Sequence, residues 1–168
     1  MNLDGQPASD AILPANLQAL QRLAKLLGVK RGFQLYILVC PDPRERTHLI
    51  GRLTRTPELA NRINMTVDLA EHGPNTNPPD DVSMLEARLH RDAPPDAIVH
   101  LVNGDGWLDA GRLADLNLHR NALAAQVNAS LLWWLPEPTV IALARNAPDL
   151  WSWRTGVMAF EGSSAPTT

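Results

Sequence analysis

The sequence predicts an α/β domain: a doubly wound, mainly parallel five-stranded sheet with helices on both faces. Three observations lead there. Five short apolar runs of strand-forming residues alternate with amphipathic segments. The stretches between successive runs are long enough to be crossovers rather than hairpins. The first run, residues 33–39 (FQLYILV), is almost continuously apolar, as strands buried on both faces of a parallel sheet are.

At 168 residues and 45% hydrophobic content the chain suits one domain with a sizeable core. Residues 1–12 are expected to be a flexible N-terminus, 13–161 the α/β domain, and 162–168, rich in Ser, Pro and Thr, a disordered tail. Pro14 suits a first helical position, and Leu17, Leu20, Leu23, Ala24 and Leu27 share one side of a helix that Gly28 is placed to close with a left-handed cap. After the first strand, Asp42 and Glu45 form a capping-box-like pair around Pro43, so a second helix starts there. Its inward side is Leu49, Ile50 and Leu53; its outward side, with Arg44, His48, Arg52 and Arg55, is basic.

Residues 62–69 alternate as a second strand, and 70–80, with four Pro or Gly residues, read as a loop. Residues 81–91 form a helix with Val82, Leu85 and Leu89 inward, ended by Pro94 and Pro95. The third strand, 97–102 (AIVHLV), runs into Asn103-Gly104-Asp105-Gly106, a strong turn signal. A helix over 113–127, a fourth strand over 131–135 (LLWWL), a helix over 138–145 and a fifth strand over 156–160 complete the pattern. Ligands of such sheets bind beyond the carboxyl ends of the strands, which points to residues 40–42, 70–72, 103–107 and 136–137.

The charges are segregated. Residues 21–62 carry nine Lys or Arg against three acids, and residues 68–109 nine acids against two arginines, although the net charge is only −3. A basic and an acidic side would steer a charged partner; ordinary solvated faces are the plainer reading. No apolar run approaches the roughly 18 residues that span a bilayer, and the N-terminus does not resemble a leader, so a cytoplasmic protein is expected. The single cysteine excludes an internal disulfide and a multi-thiolate zinc site.

The strand-end turns are poor in chemistry. A phosphate loop needs glycines, a lysine and a hydroxyl; residues 40–43 offer two prolines and an aspartate placed against an anion. The dinucleotide glycine fingerprint is missing there too. Asp105 follows a hydrophobic strand as a magnesium ligand would, but turns select Asp for backbone reasons alone. Cys40, with His48 or His100 as base, is the one conceivable thiol arrangement, and Asp42 opposes the thiolate. The five histidines show no i, i+4 pair, so neither metal nor cofactor is expected.

On the 113–127 helix the helical advance puts Arg120 within the apolar sector and Asn117 at its edge. A guanidinium there needs a partner; Asp149 is the first choice and Asp105 the second, as a structural ion pair locking the last strand. Trp133 and Trp134 point to opposite sheet faces, whereas Trp151 and Trp153 follow a helix stop and are candidate anchors for a partner.

Taken in order, the strand ending CPDPR at residues 40–44, LNLHRNAL at 116–123, LWWLP at 132–136 and APDLWSWR at 147–154 resemble the degenerate P-loop-like domains of bacterial STAND-type conflict proteins, relatives of the NACHT ATPases with the phosphate loop lost. The resemblance covers about residues 31–161. It implies a P-loop NTPase-like sandwich with the first strand central, and Asn117, Arg120, Asp149, Trp151 and Arg154 as structural markers. It also implies a non-catalytic adaptor or scaffold in defence or signalling, working with separately encoded effectors or sensors because no repeat array follows. Arg44, Arg52, Arg55, Trp151 and Trp153 are the candidate partner-binding residues. The alternative is an atypical nucleotide-binding or hydrolytic enzyme using Asp105 or Cys40. Nucleic-acid binding by Arg44, Arg52 and Arg55 is disfavoured by the acidic overall balance.

Overall fold

A computed structural model describes residues 12–70 and 77–162; the expected N-terminal arm, most of the C-terminal tail and the 71–72 part of the second strand-end segment lie outside them. Five strands make one sheet: β1 Gln34–Val39, β2 Asn64–Asp68, β3 Ala97–Val102, β4 Ala129–Leu135 and β5 Gly156–Ala159. Their spatial order is β2-β3-β4-β1-β5, with every pairing parallel. The helices are α1 Pro14–Val29, α2 Pro43–Thr54, α3 Val82–Asp92, α4 Ala110–Leu118, α5 Arg120–Gln126, α6 Glu137–Asn146 and α7 Pro148–Ser152, with a 3₁₀ turn at Pro57–Leu59.

The strand order decides which face each helix covers. From β1 the chain moves three places to β2, then returns step by step through β3 and β4 and passes over β1 to β5. With right-handed crossovers, opposite directions of travel put the connecting helices on opposite faces. The core divides accordingly. Leu49 and Leu53 of α2 join Leu20, Leu23 and Leu27 of α1 and Leu59 against Tyr36, Leu38, Ile98 and Trp134. Leu85, Leu89, Leu113, Leu116, Leu123 and Leu143 from α3 to α6 cover Leu35, Ile37, Val99, Leu101 and Trp133. The adjacent tryptophans of β4 are therefore split between the two cores, both fully buried.

The expected architecture is present, with local corrections. The first strand is internal, flanked by β4 and β5, but β4 is the middle strand. Gly28 is not the cap of α1: the helix continues to Val29 and stops at Lys30, which is extended. Gly28 faces the 3₁₀ turn, where a Cβ would lie 3.4 Å from the Glu58 carbonyl oxygen, an ordinary contact. The single helix expected over 113–127 starts earlier, at Ala110, where Asp109 accepts a hydrogen bond from Arg112 N at 2.9 Å, and breaks at His119 into α4 and α5. Leu113, Leu116, Leu123 and Val127 nevertheless stay in one buried row, so the break leaves the inward face expected for this segment in place.

Candidate functional site

The carboxyl end of the sheet is bound up with its own polar groups. Asp42 caps α2, its Oδ1 accepting from Arg44 N at 2.9 Å, and Pro43 occupies the first helical position, where a missing N–H costs nothing. Glu45 does not complete a capping box. Its fully buried side chain turns to α1, and Oε2 accepts from Asn16 Nδ2 at 3.0 Å. Asn16 also grips the chain leaving β5, donating to the Glu161 carbonyl at 2.9 Å and accepting from Glu161 N at 2.7 Å. Such side-chain to backbone bonds across 145 residues need an acceptor and a donor on one amide, which is what asparagine provides.

A second chain of bonds runs across the strand ends. Arg46 Nη1 donates to Asn103 Oδ1 at 3.1 Å, and Asn103 Nδ2 donates to Asp68 Oδ1 at 2.8 Å. Asp68 Oδ1 also accepts from Ala70 N at 2.9 Å. Asn103 stands in the left-handed region, φ 59°, which asparagine tolerates. The next residue must be small, because a Cβ at Gly104 would fall 2.7 Å from Trp133 Nε1. One arginine, one asparagine and one aspartate thus tie α2 to the ends of β3 and β2, using the polar groups nearest the first turn on each other.

The residues weighed for chemistry are placed as follows. Cys40 is buried, its amide donating to the Leu135 carbonyl at 3.0 Å and its Sγ lying 3.5 Å from the Asp42 carbonyl. Burial pushes its thiol above the ordinary range, against the pull of that hydrogen bond. His100 is fully buried on the α1–α2 face: Nδ1 accepts from Trp134 Nε1 at 3.1 Å and Nε2 meets Asn64 Oδ1 at 2.9 Å, which fixes the Nε2–H tautomer. Burial lowers its pKa to about 4. Asp105 is exposed in its turn. Among the described residues no cluster of three or more His, Cys, Asp or Glu is arranged to hold a metal ion, and no described helix is long and apolar enough to cross a membrane.

Asn117, Arg120 and Asp149 form one cluster between α4 and α7. Ala147, the residue before α7, has no side chain to cap it. Asn117 does so from α4, its Oδ1 accepting from Asp149 N at 2.8 Å and Leu150 N at 3.0 Å, while Nδ2 donates to Asp149 Oδ2 at 3.2 Å. Arg120 Nη1 donates to the Asn117 carbonyl at 2.5 Å and lies 3.7 Å from Asp149 Oδ2. The pair is only partly buried, not buried as expected: the guanidinium lies against the Asn117 carbonyl and Asp149 at the margin of the core, and the two side chains are 26% and 59% exposed. Trp151 is half-buried with Arg154 stacked on its ring, 4.2 Å from the centroid. Trp153 is 41% exposed, with Arg120 5.8 Å from its ring centroid.

Two of the remaining candidates meet in a groove. Arg44 and Arg52 are exposed on α2, and Arg55 is exposed just past its end. Between α1, α2 and the 3₁₀ turn lies a cavity of about 710 Å³, lined among others by Leu17, Leu20, Lys25, Arg52, Arg55 and Glu58. A second cavity of about 290 Å³, lined by Ile12, Thr47, His48 and Gly51, shares Arg52 and Arg55 with the first. Arg44 lines neither. Lys25 is the member that sequence reading missed: its place on the outer side of α1 is legible, but its approach to α2 depends on how the two helices pack.

No protein-family model matches the chain, and no curated protein matches it. Solved structures do. Rif2 in complex with the C-terminal domain of Rap1 is similar over 95% of this chain and 56% of its own, with a TM-score of 0.56 at 11% identity. A structure of Drosophila ORC bound to poly(dA/dT) DNA and Cdc6 matches over 88% and 29%, with a TM-score of 0.55 at 10% identity. Aeropyrum pernix ORC1 in complex with DNA matches over 97% and 48%, with a TM-score of 0.52 at 15% identity. The chain therefore spans between under a third and just over half of these proteins. What the likeness shows is the fold, a five-stranded all-parallel sheet with helices on both faces. At these identities the likeness carries the fold alone and does not single out the STAND or NACHT group. Two of the three neighbours are DNA complexes, so the expectation against nucleic acid finds no support among them.

Proposed function

We propose that this chain is a binding module built on a P-loop-like sheet, an adaptor or scaffold that engages a protein partner and does not turn over nucleotide. The observation that carries the reading is the Arg46-Asn103-Asp68 chain of hydrogen bonds across the strand ends, beside a first turn capped by Asp42 and Pro43. A nucleotide site keeps backbone N–H groups and a cation available for phosphate oxygens. Here Arg46 is engaged by Asn103, and the Asp42 carboxylate caps the helix N-terminus where an anion would come. The similarity to Rif2, solved in complex with part of Rap1, supports a role in protein association, and the resemblance of residues 31–161 to STAND-type domains supports a place in a signalling or defence assembly.

The test is the melting temperature of the full chain with and without millimolar magnesium-ATP. The expected shift is under about 1 °C, since a ligand that does not bind the native state adds no stability. A rise of several degrees, or turnover lost in Asp105→Ala or Cys40→Ala, would replace this reading with a nucleotide-dependent enzyme.

A further inference from the structure

We infer that the groove between α1 and α2 docks an acidic peptide segment in which Glu or Asp alternates with apolar residues. The inference rests on the binding-module reading and gives that module's partner a chemistry. Lys25, Arg52 and Arg55 converge on a single cavity of about 710 Å³ whose only acidic lining residue among the described residues is Glu58. Among the described residues no carboxylate forms an ion pair with any of the three. Leu17, Leu20 and Pro57 supply an apolar lining between these cations. A cationic rim over apolar surface matches a ligand with carboxylates on one side and aliphatic groups on the other, with Arg offering carboxylates a two-pronged fit.

Shape narrows the ligand further. The second cavity shares Arg52 and Arg55 and reaches Thr47, so the groove follows α2 over residues 47–55. At the helical rise that is about 12 Å, the reach of roughly four extended residues. Among the described residues neither cavity is lined by Trp, Tyr or Phe, and the His48 imidazole of the second is the one ring offered to a nucleobase. The opposite helical layer exposes Asp81, Asp109 and Asp115, which steers an acidic segment toward the α1–α2 side.

The experiment measures fluorescence anisotropy of a labelled peptide of six Glu-Leu repeats on titration with the full chain at low salt. Saturable binding is expected. It should weaken at least about tenfold in Arg52→Glu/Arg55→Glu, and change less than about twofold in Arg91→Glu/Arg145→Glu, the same charge change on the other helical layer. Arg52→Ala/Arg55→Ala, which leaves α2 its helix propensity, should weaken it in the same direction, with circular dichroism verifying the fold. Replacing each Leu of the probe by Ser should cost several-fold. The inference is overturned by no saturable binding, by equal loss in both reversed variants, or by tighter binding of an oligothymidylate of the same length. Absent peptide binding with a melting temperature unmoved by ATP removes the groove assignment and leaves the binding module standing. An ATP-dependent rise removes the module reading whatever the peptide does.

Discussion

Acidification tests whether His100 is a structural imidazole held neutral by the fold. Its ring is fully buried, and Nδ1 accepts from Trp134 Nε1 at 3.1 Å, so protonation there would set a second N–H against the indole N–H. The folded pKa is lowered to about 4 from 6.5. Between these values the unfolded chain binds the proton and the folded chain does not, so stability falls as pH drops through 6.5 and levels off below 4. Integrating over that window, the loss between about pH 7 and about pH 5 comes to about 2 kcal/mol from this residue alone. Carboxylates titrate in the same range, so the assay is urea unfolding at both pH values in the wild type and in His100→Gln. Glutamine keeps an acceptor for Trp134 and a donor for Asn64 but has no proton to gain. The variant should lose about 2 kcal/mol less on acidification. Equal losses in the two proteins would refute the argument and return His100 to the set of groups free to exchange protons.

Three further outcomes follow from named contacts. Arg62 donates from Nε to the Asp96 carbonyl at 2.7 Å, from Nη2 to Ser130 Oγ at 3.1 Å and from Nη1 to the Leu27 carbonyl; Arg62→Met should lower the unfolding free energy by about 2–4 kcal/mol in chemical denaturation. Asn117→Ala strips α7 of its remote cap and should cost about 1–2 kcal/mol, seen also as faster amide exchange at Asp149 and Leu150. Cys40, buried with a raised pKa, should react with a thiol reagent at least about a hundredfold more slowly in the native protein than in denaturant; a native rate near that of a free thiol would reopen the thiol-enzyme alternative.

What was legible in the sequence is what period and punctuation encode. The run at 97–102 is β3 residue for residue, and Pro43 and Asp81 mark the starts of α2 and α3. What escaped depends on contacts distant in sequence. Glu45 looks like the second half of a capping box, and nothing local says that it answers Asn16, 29 residues away. The break at His119 is equally hidden: Leu118-His119-Arg120 contains neither Gly nor Pro, and the buried row Leu113, Leu116, Leu123 and Val127 runs through it. The sequence shows only a helix stop ahead of Trp151 and Trp153, whereas Pro148 starts α7 with its cap supplied by Asn117 from another helix.

The basic run of residues 21–62 shows best how structure turns a charge count into function. Its nine cations look equivalent in sequence, but a cation already hydrogen-bonded inside the fold has little left to offer a ligand. Arg62 is spent on joining α1 to the starts of β3 and β4, and burial lowers its pKa. Arg46 closes the strand ends through Asn103, and Arg31 bonds the Gly28 and Lys30 carbonyls. Lys25, Arg52 and Arg55 are exposed and, unlike the other exposed cations of the run, converge on one concave surface with apolar groups between them. Charge reversal at Arg46 or Arg62 should therefore register as lost stability, whereas at Arg52 and Arg55 it should register as lost association, each with little effect on the other measurement.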